Sequence, residues 1–69
     1  MKNKVSERIR DLRKELNIGQ VEFAKMCGVQ QSCVSKWERG ETLPDIDMIL
    51  TIAHIFDVTT DYLLGATAF

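Results

Sequence analysis

The junction formed by Gly28 and Val29 constrains the fold more than any other feature of the sequence. It separates two short segments with helical periodicity, residues 20–27 and residues 30–39. A glycine-containing turn this short makes two helices cross steeply instead of lying antiparallel. Neither segment is long enough to be a stable helix by itself. The pair must therefore pack against other elements, with the small Ala24 where the two backbones approach.

Helical periodicity extends along nearly the whole chain and predicts an all-α fold of about five helices. The first helix is predicted over residues 4–16 and the fourth over residues 46–56, and Thr59 and Asp61 begin a fifth. No segment alternates with a period of two for long enough to form a strand. A wide apolar arc on the fourth helix predicts that it is the central helix of the core, through Ile46, Ile49, Leu50, Ile52, Ala53 and Phe56.

Length and composition predict one small domain spanning residues 1–69. Hydrophobic residues make up 45% and charged residues 28% of the chain, as in ordinary soluble domains. No apolar run approaches the ~18 residues that a membrane-spanning helix needs. The basic N-terminus has no apolar stretch behind it, which excludes a secretory signal. We therefore expect a cytoplasmic protein without a membrane partner.

The net charge of −1 conceals a division along the chain. Residues 1–40 contain all nine basic residues and five acidic ones, which gives +4. Residues 41–69 contain five acidic residues and no basic one, which gives −5. This division predicts that one part of the molecule faces an anionic partner.

The sequence gives no indication of a metal site, a cofactor or catalysis. Cys27 and Cys33 lie six residues apart, which does not match a zinc or redox pair, and the one histidine is distant. We expect both to be reduced and to act as small apolar side chains. His54 and Asp57 have helical spacing, but no nucleophile accompanies them. We therefore expect a protein that is not an enzyme.

Residues 20–39, QVEFAKMCGVQQSCVSKWER, resemble the helix-turn-helix of the lambda-repressor-like (Xre/Cro-type) transcriptional regulators. The resemblance covers nearly the entire chain. It implies a DNA-binding domain whose third helix lies in the major groove while the second crosses the backbone. The matching residues are Gln20, Ala24, Gly28, Val29, Val34, Trp37-Glu38-Arg39-Gly40, Pro44, Ile52-Ala53 and Asp61-Tyr62-Leu63-Leu64-Gly65.

The resemblance implies that Gln31, Ser32 and Lys36 read bases. Their amide, hydroxyl and ammonium groups suit the donors and acceptors of the major groove. The alternative is a solvated helix face. The implied contacts with the DNA backbone come from Gln20, Gln30, Ser35 and Arg39.

Two of these backbone assignments have alternatives. Gln20 could only brace or cap its helix, and Arg39 could only complement the helix C-terminus. Arg13 and Glu38 match a family pair that joins the first and third helices, which implies a structural ion pair. The other basic residues of the first helix, Arg8 among them, and Lys25 are expected to be solvated or weakly steering.

The loop after the third helix reads Glu41-Thr42-Leu43 and lacks the cation that many family members have there. Fewer phosphate contacts weaken binding by a single domain. We therefore expect a homodimer formed through Tyr62, Leu63 and Phe69, which places two third helices ~34–36 Å apart on a palindromic operator. The alternative is that Tyr62 and Phe69 only cover the base of the domain.

These features predict sequence-specific binding of double-stranded DNA by a transcriptional regulator, most simply a repressor. The alternative is a protein-interaction module of the same fold, such as an antitoxin-like or regulator-binding subunit, for which DNA contact is secondary. Retention on heparin or DNA at low salt distinguishes the two functions.

Overall fold

The computed structural model describes residues 3–68, which contain five α-helices and no strand. The all-α prediction is therefore confirmed. None of these helices has the length and apolar character that would allow it to cross a membrane. The helices are α1 (Lys4–Glu15), α2 (Gln20–Cys27), α3 (Gln31–Arg39), α4 (Ile46–Phe56) and α5 (Thr60–Leu64).

Side-chain caps fix the start of three helices. Asn3 accepts a hydrogen bond from the Ser6 N–H, and the Ser6 hydroxyl accepts one from the Asn3 N–H, which forms a capping box at α1. Asp45 caps α4 and Thr59 caps α5 in the same general way. These bonds satisfy N–H groups that have no partner inside the helix.

The third helix starts one residue later than its periodicity predicts. Gln30 has an extended backbone, with φ −83° and ψ 154°, and is the N-cap residue of α3. Gln31 is therefore the first residue of α3. The family resemblance implies that this N-terminal end of the helix faces DNA. At the first helix, Leu16 is the C-cap residue and lies outside α1.

The two-residue junction brings α2 and α3 into contact. Gly28 has a left-handed backbone with φ 75°, and the Val29 N–H donates to the Ala24 carbonyl at 3.0 Å. Val34 is fully buried and Trp37 is 7% exposed, so both hold the inner face of α3 against the core. The outer face of α3 is left for other contacts.

The core lies between the helix-turn-helix and the remaining helices. The rings of Phe23 in α2 and Phe56 in α4 stack with their centroids 5.0 Å apart. Phe23 is fully buried, and so are apolar side chains from α1, α3, α4 and α5, namely Ile9, Val34, Ile52 and Leu63. Every helix thus contributes to one core.

The prediction that α4 is central to the core is wrong for part of its surface. Ile49, Ile52 and Ala53 are buried, but Ile46 is 79% exposed and Leu50 is 55% exposed. The reason is that α4 packs mainly on α2 and α5, which cover only one side of it. An apolar surface is left on the other side.

Alanine substitutions at three glycines should separate backbone strain from steric overlap. Gly28→Ala places a side chain on a left-handed backbone but meets no atom within 4 Å, so we expect a loss of about 1 kcal/mol in the free energy of unfolding. Gly65→Ala adds a Cβ 2.5 Å from the Lys4 Cβ, and we expect roughly 2 kcal/mol or more. Chemical denaturation measures both losses.

Gly19→Ala is the matched control, because Gly19 has φ −83° and open space around it. Gly19 is the N-cap residue of α2, where glycine is preferred to alanine, so the free energy of unfolding of this variant should fall by only about 0.5 kcal/mol. Equal losses at Gly28 and Gly65 would contradict the close approach of α5 to Lys4.

Candidate nucleic-acid interface

The outer face of α3 exposes the three side chains that are expected to read bases. Gln31, Ser32 and Lys36 are all exposed, while Val34 and Trp37 on the opposite side are buried. Because α3 turns every 3.6 residues, Lys36 lies about one turn beyond Ser32 on this face. The structure therefore presents these side chains together on a rigid helix.

A continuous hydrogen-bonded network fixes the first of these residues. The Gln31 Nε2 donates to the Gln20 Oε1 at 2.6 Å, and the Gln20 Nε2 donates to the Glu38 Oε1 at 3.1 Å. Arg13 donates to both carboxylate oxygens of Glu38, at 2.7 Å from Nε and 3.0 Å from Nη2. Its Nη1 also donates to the Ile18 carbonyl at 2.9 Å. The network joins α1, α2 and α3.

The carboxylate at the centre of the network determines the direction of the hydrogen bonds that Gln20 makes to Glu38 and Gln31. An ionised carboxylate can only accept, so Gln20 must turn its NH₂ group toward Glu38. The Gln20 carbonyl oxygen is then the group available to Gln31, which must donate to it. As a consequence, the carbonyl oxygen and the second Nε2 hydrogen of Gln31 have no hydrogen-bond partner within residues 3–68 and can bind another molecule.

Glu38 has a pKa below its ordinary value although it is only 6% exposed. Burial by itself would raise the pKa, but the hydrogen bonds from Arg13 and Gln20 and the charge of Arg13 outweigh it. The same pairing raises the pKa of Arg13. Both groups are therefore charged at neutral pH, and Gln20 faces a permanent acceptor.

The structure contains the ion pair that the family resemblance implies between Arg13 and Glu38, and it is shielded from solvent. Its two side chains are 13% and 6% exposed. Two-point pairing of a guanidinium with a carboxylate is a strong and directional contact. Gln20, a candidate backbone contact, is held by this pair through its hydrogen bond to Glu38.

Arg39 lies on the surface beside an acid. Its Nε donates to the Glu41 Oε2 at 2.5 Å, and it also donates to the Ser35 hydroxyl. Arg39 and Glu41 are 53% and 52% exposed, so solvent screens this pair. Gln30, the fourth residue expected to contact the DNA backbone, immediately precedes α3 and is exposed.

The prediction that Leu63 provides dimer surface is wrong. Its side chain is fully buried in the core of its own domain. Tyr62 is half-buried, and the guanidinium carbon of Arg8 lies 4.2 Å from its ring centroid. Phe69 lies outside the described residues.

Arg8 has a structural role that its sequence position does not reveal. Its Nε donates to the Tyr62 carbonyl at 3.2 Å, and its Nη2 donates to the Thr67 carbonyl at 3.4 Å. Arg8 thereby fastens α1 to α5 and to the segment that follows. The expectation that it is a solvated cation is wrong, because its guanidinium is bonded to two backbone carbonyls. The sequence pattern could not reveal these contacts, since the partners lie more than 50 positions away in the chain.

The two cysteines lie on α2 and α3 as free thiols, Cys27 buried and Cys33 half-buried. Burial raises the pKa of Cys27 to about 11, so its unreactive protonated form is favoured at neutral pH. Within residues 3–68, no group of three or more histidine, cysteine, aspartate or glutamate side chains is arranged to hold a metal ion. His54 is exposed on α4.

Comparison with known proteins gives the same architecture. A family described as helix-turn-helix matches residues 9–63. Repressor protein C2 of Salmonella phage P22 is 42% identical over 60 residues, which are 87% of this chain and 28% of that protein. The cryptic phage CTXphi transcriptional repressor RstR of Vibrio cholerae is 32% identical over 65 residues, which are 94% of this chain and 58% of that protein.

Solved structures extend the similarity to complexes with DNA. The P22 c2 repressor bound to a synthetic operator superposes with a TM-score of 0.85 at 40% identity, covering 91% of this chain and 96% of that one. SinR, a master regulator for biofilm formation solved with DNA, has a TM-score of 0.79 at 31% identity, covering 87% and 97% of the two chains. The chain spans only 28–58% of the two repressor sequences compared above.

Replacing Glu38 with glutamine should expose the energetic role of the network. Glu38→Gln leaves the shielded Arg13 without its counter-charge, and we expect the free energy of unfolding at neutral pH to fall by about 3 kcal/mol. The wild type has a lowered pKa at Glu38, so its advantage is complete above the ordinary carboxyl value of about 4.3. The advantage should disappear as the pH falls through the lowered pKa of the folded state.

Glu41→Gln is the matched control, because it removes a carboxylate from an exposed ion pair with arginine. Denaturant unfolding of both variants between pH 7 and pH 2.5 makes the comparison. A stability difference between the wild type and Glu38→Gln that does not change with pH would contradict the proposed ionisation of Glu38.

Proposed function

The chain belongs to the helix-turn-helix family, and on that basis we propose that it is a sequence-specific DNA-binding repressor of transcription. The observation that carries this proposal is the outer face of α3, where Gln31 is held by Gln20, Glu38 and Arg13. The network joins three helices, and its last hydrogen bond also orders the exposed side chain of Gln31, which supports a role for Gln31 in recognition. Access to genomic DNA would require a cytoplasmic protein.

We propose that Gln31 reads adenine through the groups that the network leaves available. Its carbonyl oxygen can accept from adenine N6, and the second hydrogen of Nε2 can donate to N7. Because the first hydrogen is committed to Gln20, the amide does not have to find its orientation when DNA arrives. Pre-ordering of this kind lowers the entropy cost of binding.

Ser32 and Lys36 complete the proposed reading surface. A serine hydroxyl can donate or accept, so by itself it discriminates weakly. A lysine can donate to guanine O6 and N7. Both side chains are exposed on the face that carries Gln31. Together they would read base pairs that follow one another along the groove.

We propose that Gln20, Gln30, Ser35 and Arg39 contact the DNA backbone at the edges of the groove. Such contacts set the position of the protein but carry no sequence information. Arg39 would exchange Glu41 for a phosphate, since its exposed pair with Glu41 is weak. Two features of similar proteins support the proposal: their names describe repressors, and one of them was solved on an operator.

Gln31→Ala should weaken binding to the cognate duplex by about 1–3 kcal/mol and binding to unrelated DNA much less. The dependence of affinity on salt should stay nearly unchanged, because a neutral amide displaces no counterion. Titration of both duplexes at two salt concentrations measures these effects. The thermal midpoint should stay close to the wild-type value, since Gln31 is exposed.

Gln20→Ala and Gln30→Ala serve as the comparison. Gln30 belongs to no hydrogen bond of the network, so its loss should affect both duplexes by similar factors. Gln20→Ala removes the acceptor that orients Gln31 and should also reduce the preference for the cognate duplex. Equal losses on both duplexes for Gln31→Ala would show that α3 positions the protein without reading bases.

We propose that the protein binds its operator as a homodimer, through a surface other than the one predicted from the sequence. Ile46, Leu50 and Leu64 are 79%, 55% and 49% exposed and, with Ile49 and Thr60, line an apolar groove of about 290 Å³ between α4 and α5. A second copy would cover these side chains. It would also double the number of phosphate contacts, which is small for one domain because the loop after α3 has no cation.

Sedimentation at tens of micromolar should show a dimer, and Leu50→Gln with Leu64→Gln should shift it toward monomer. Leu16→Gln is the matched control, because Leu16 is 52% exposed at the end of α1, outside this groove. All three side chains are exposed, so the variants should stay folded. A wild-type monomer at that concentration would remove the dimer from the proposal.

A further inference from the structure

A polar cavity lies where α1, α2 and α3 meet. It has a volume of about 230 Å³ and is lined by four cations and one carboxylate, from Arg10, Arg13, Lys14, Gln20, Glu38 and Arg39. Gln20 and Arg39 are two of the proposed contacts with the DNA backbone. The cavity therefore opens on the same side of the molecule as the proposed DNA surface.

The positive charge of this cavity is not neutralised from within. Glu38 and Arg13 balance each other. Among residues 3–68, neither Arg10 nor Lys14 forms an ion pair, and Lys14 is exposed. The charge of Glu38 also acts on Arg10, but the four cations of the lining outnumber its one carboxylate, so an anion in the cavity would be stabilised.

The adjoining cavity on α1 has a different balance of charge. Arg10, Lys14 and Glu38 line both cavities, but the adjoining one has Glu7 and Asp11 and lacks Arg13 and Arg39, so its carboxylates outnumber its cations. An anion is therefore attracted to the first cavity and not to its neighbour. The first cavity also adjoins the start of α2, where Gly19 provides no side-chain cap for the helix N–H groups.

We propose that this cavity binds a backbone phosphate of the DNA duplex, with Arg10 and Lys14 of α1 as its principal cations. The inference rests on the proposed function and extends it from the helix-turn-helix to the first helix. A phosphodiester provides the two anionic oxygens that a guanidinium and an ammonium can contact together. Two cations from α1 compensate for the missing cation in the loop after α3.

The test is the salt dependence of DNA affinity for Arg10→Gln, Lys14→Gln and the double variant. Each neutralised phosphate contributes a slope of about 0.9 in the plot of log affinity against log salt concentration. We expect the slope to decrease by up to about that amount in the double variant, and equally on cognate and unrelated duplexes. At low salt, affinity should fall several-fold for each substitution.

Two controls separate this effect from a change of fold or of net charge. Lys25→Gln removes an exposed cation of α2 that does not line the cavity, and it should keep the wild-type slope. Arg10→Lys keeps the charge and should restore most of the slope that Arg10→Gln loses. Thermal midpoints close to the wild-type value would show that each variant is folded.

The possible results distinguish the phosphate site from the function on which it rests. A wild type that binds duplexes while the double variant keeps its slope would overturn the phosphate site alone. A decrease equal to that of Lys25→Gln would overturn it too, because only the net charge would then matter. A wild type that retains no duplex at low salt would overturn the proposed function and the phosphate site with it.

Discussion

The ion pair between Arg13 and Glu38 links the packing of this domain to the surface that it presents. Arg13 comes from α1 and Glu38 from α3, and Gln20 brings α2 to the same carboxylate. Removing either charge would leave the other shielded from solvent without its counter-charge. Because Glu38 can only accept, it also determines which atoms of Gln31 are available for the proposed contact with a base. One carboxylate therefore acts on both the stability of the domain and the hydrogen-bonding groups that α3 presents on its outer face.

The charge distribution determines how such a domain can approach DNA. The basic residues all lie in the first 40 positions, and the structure gathers three of them outside the buried pair, Arg10, Lys14 and Arg39, around one cavity. The acidic second part of the chain carries the exposed apolar side chains of α4 and α5. DNA contact and subunit contact would thus use different parts of the molecule. A small domain benefits from this separation, because DNA and a second subunit would not compete for the same surface.

Local patterns predicted the helices well, but contacts between distant residues could not be read from the sequence. The glycine at 28 and the spacing of Val34 and Trp37 fix the crossing of α2 and α3, and both are short-range signals. The burial of Leu63 and the pairing of Arg8 with Tyr62 depend on how α5 packs against α1. The spacing of apolar residues within each helix carries no information about that packing. The family resemblance implied roles for Gln20 and Gln31, yet the hydrogen bond between them appears only in three dimensions.

Selection of binding sites from a pool of random duplexes by the purified protein tests the central claim most directly. The account predicts enrichment of one two-fold symmetric sequence, with half-sites about 10–10.5 base pairs apart and adenine at a fixed position in each. The adenine preference should be lost when the selection is repeated with Gln31→Ala. A recovered pool with the same base composition and no more symmetry than the starting pool would contradict sequence reading by α3.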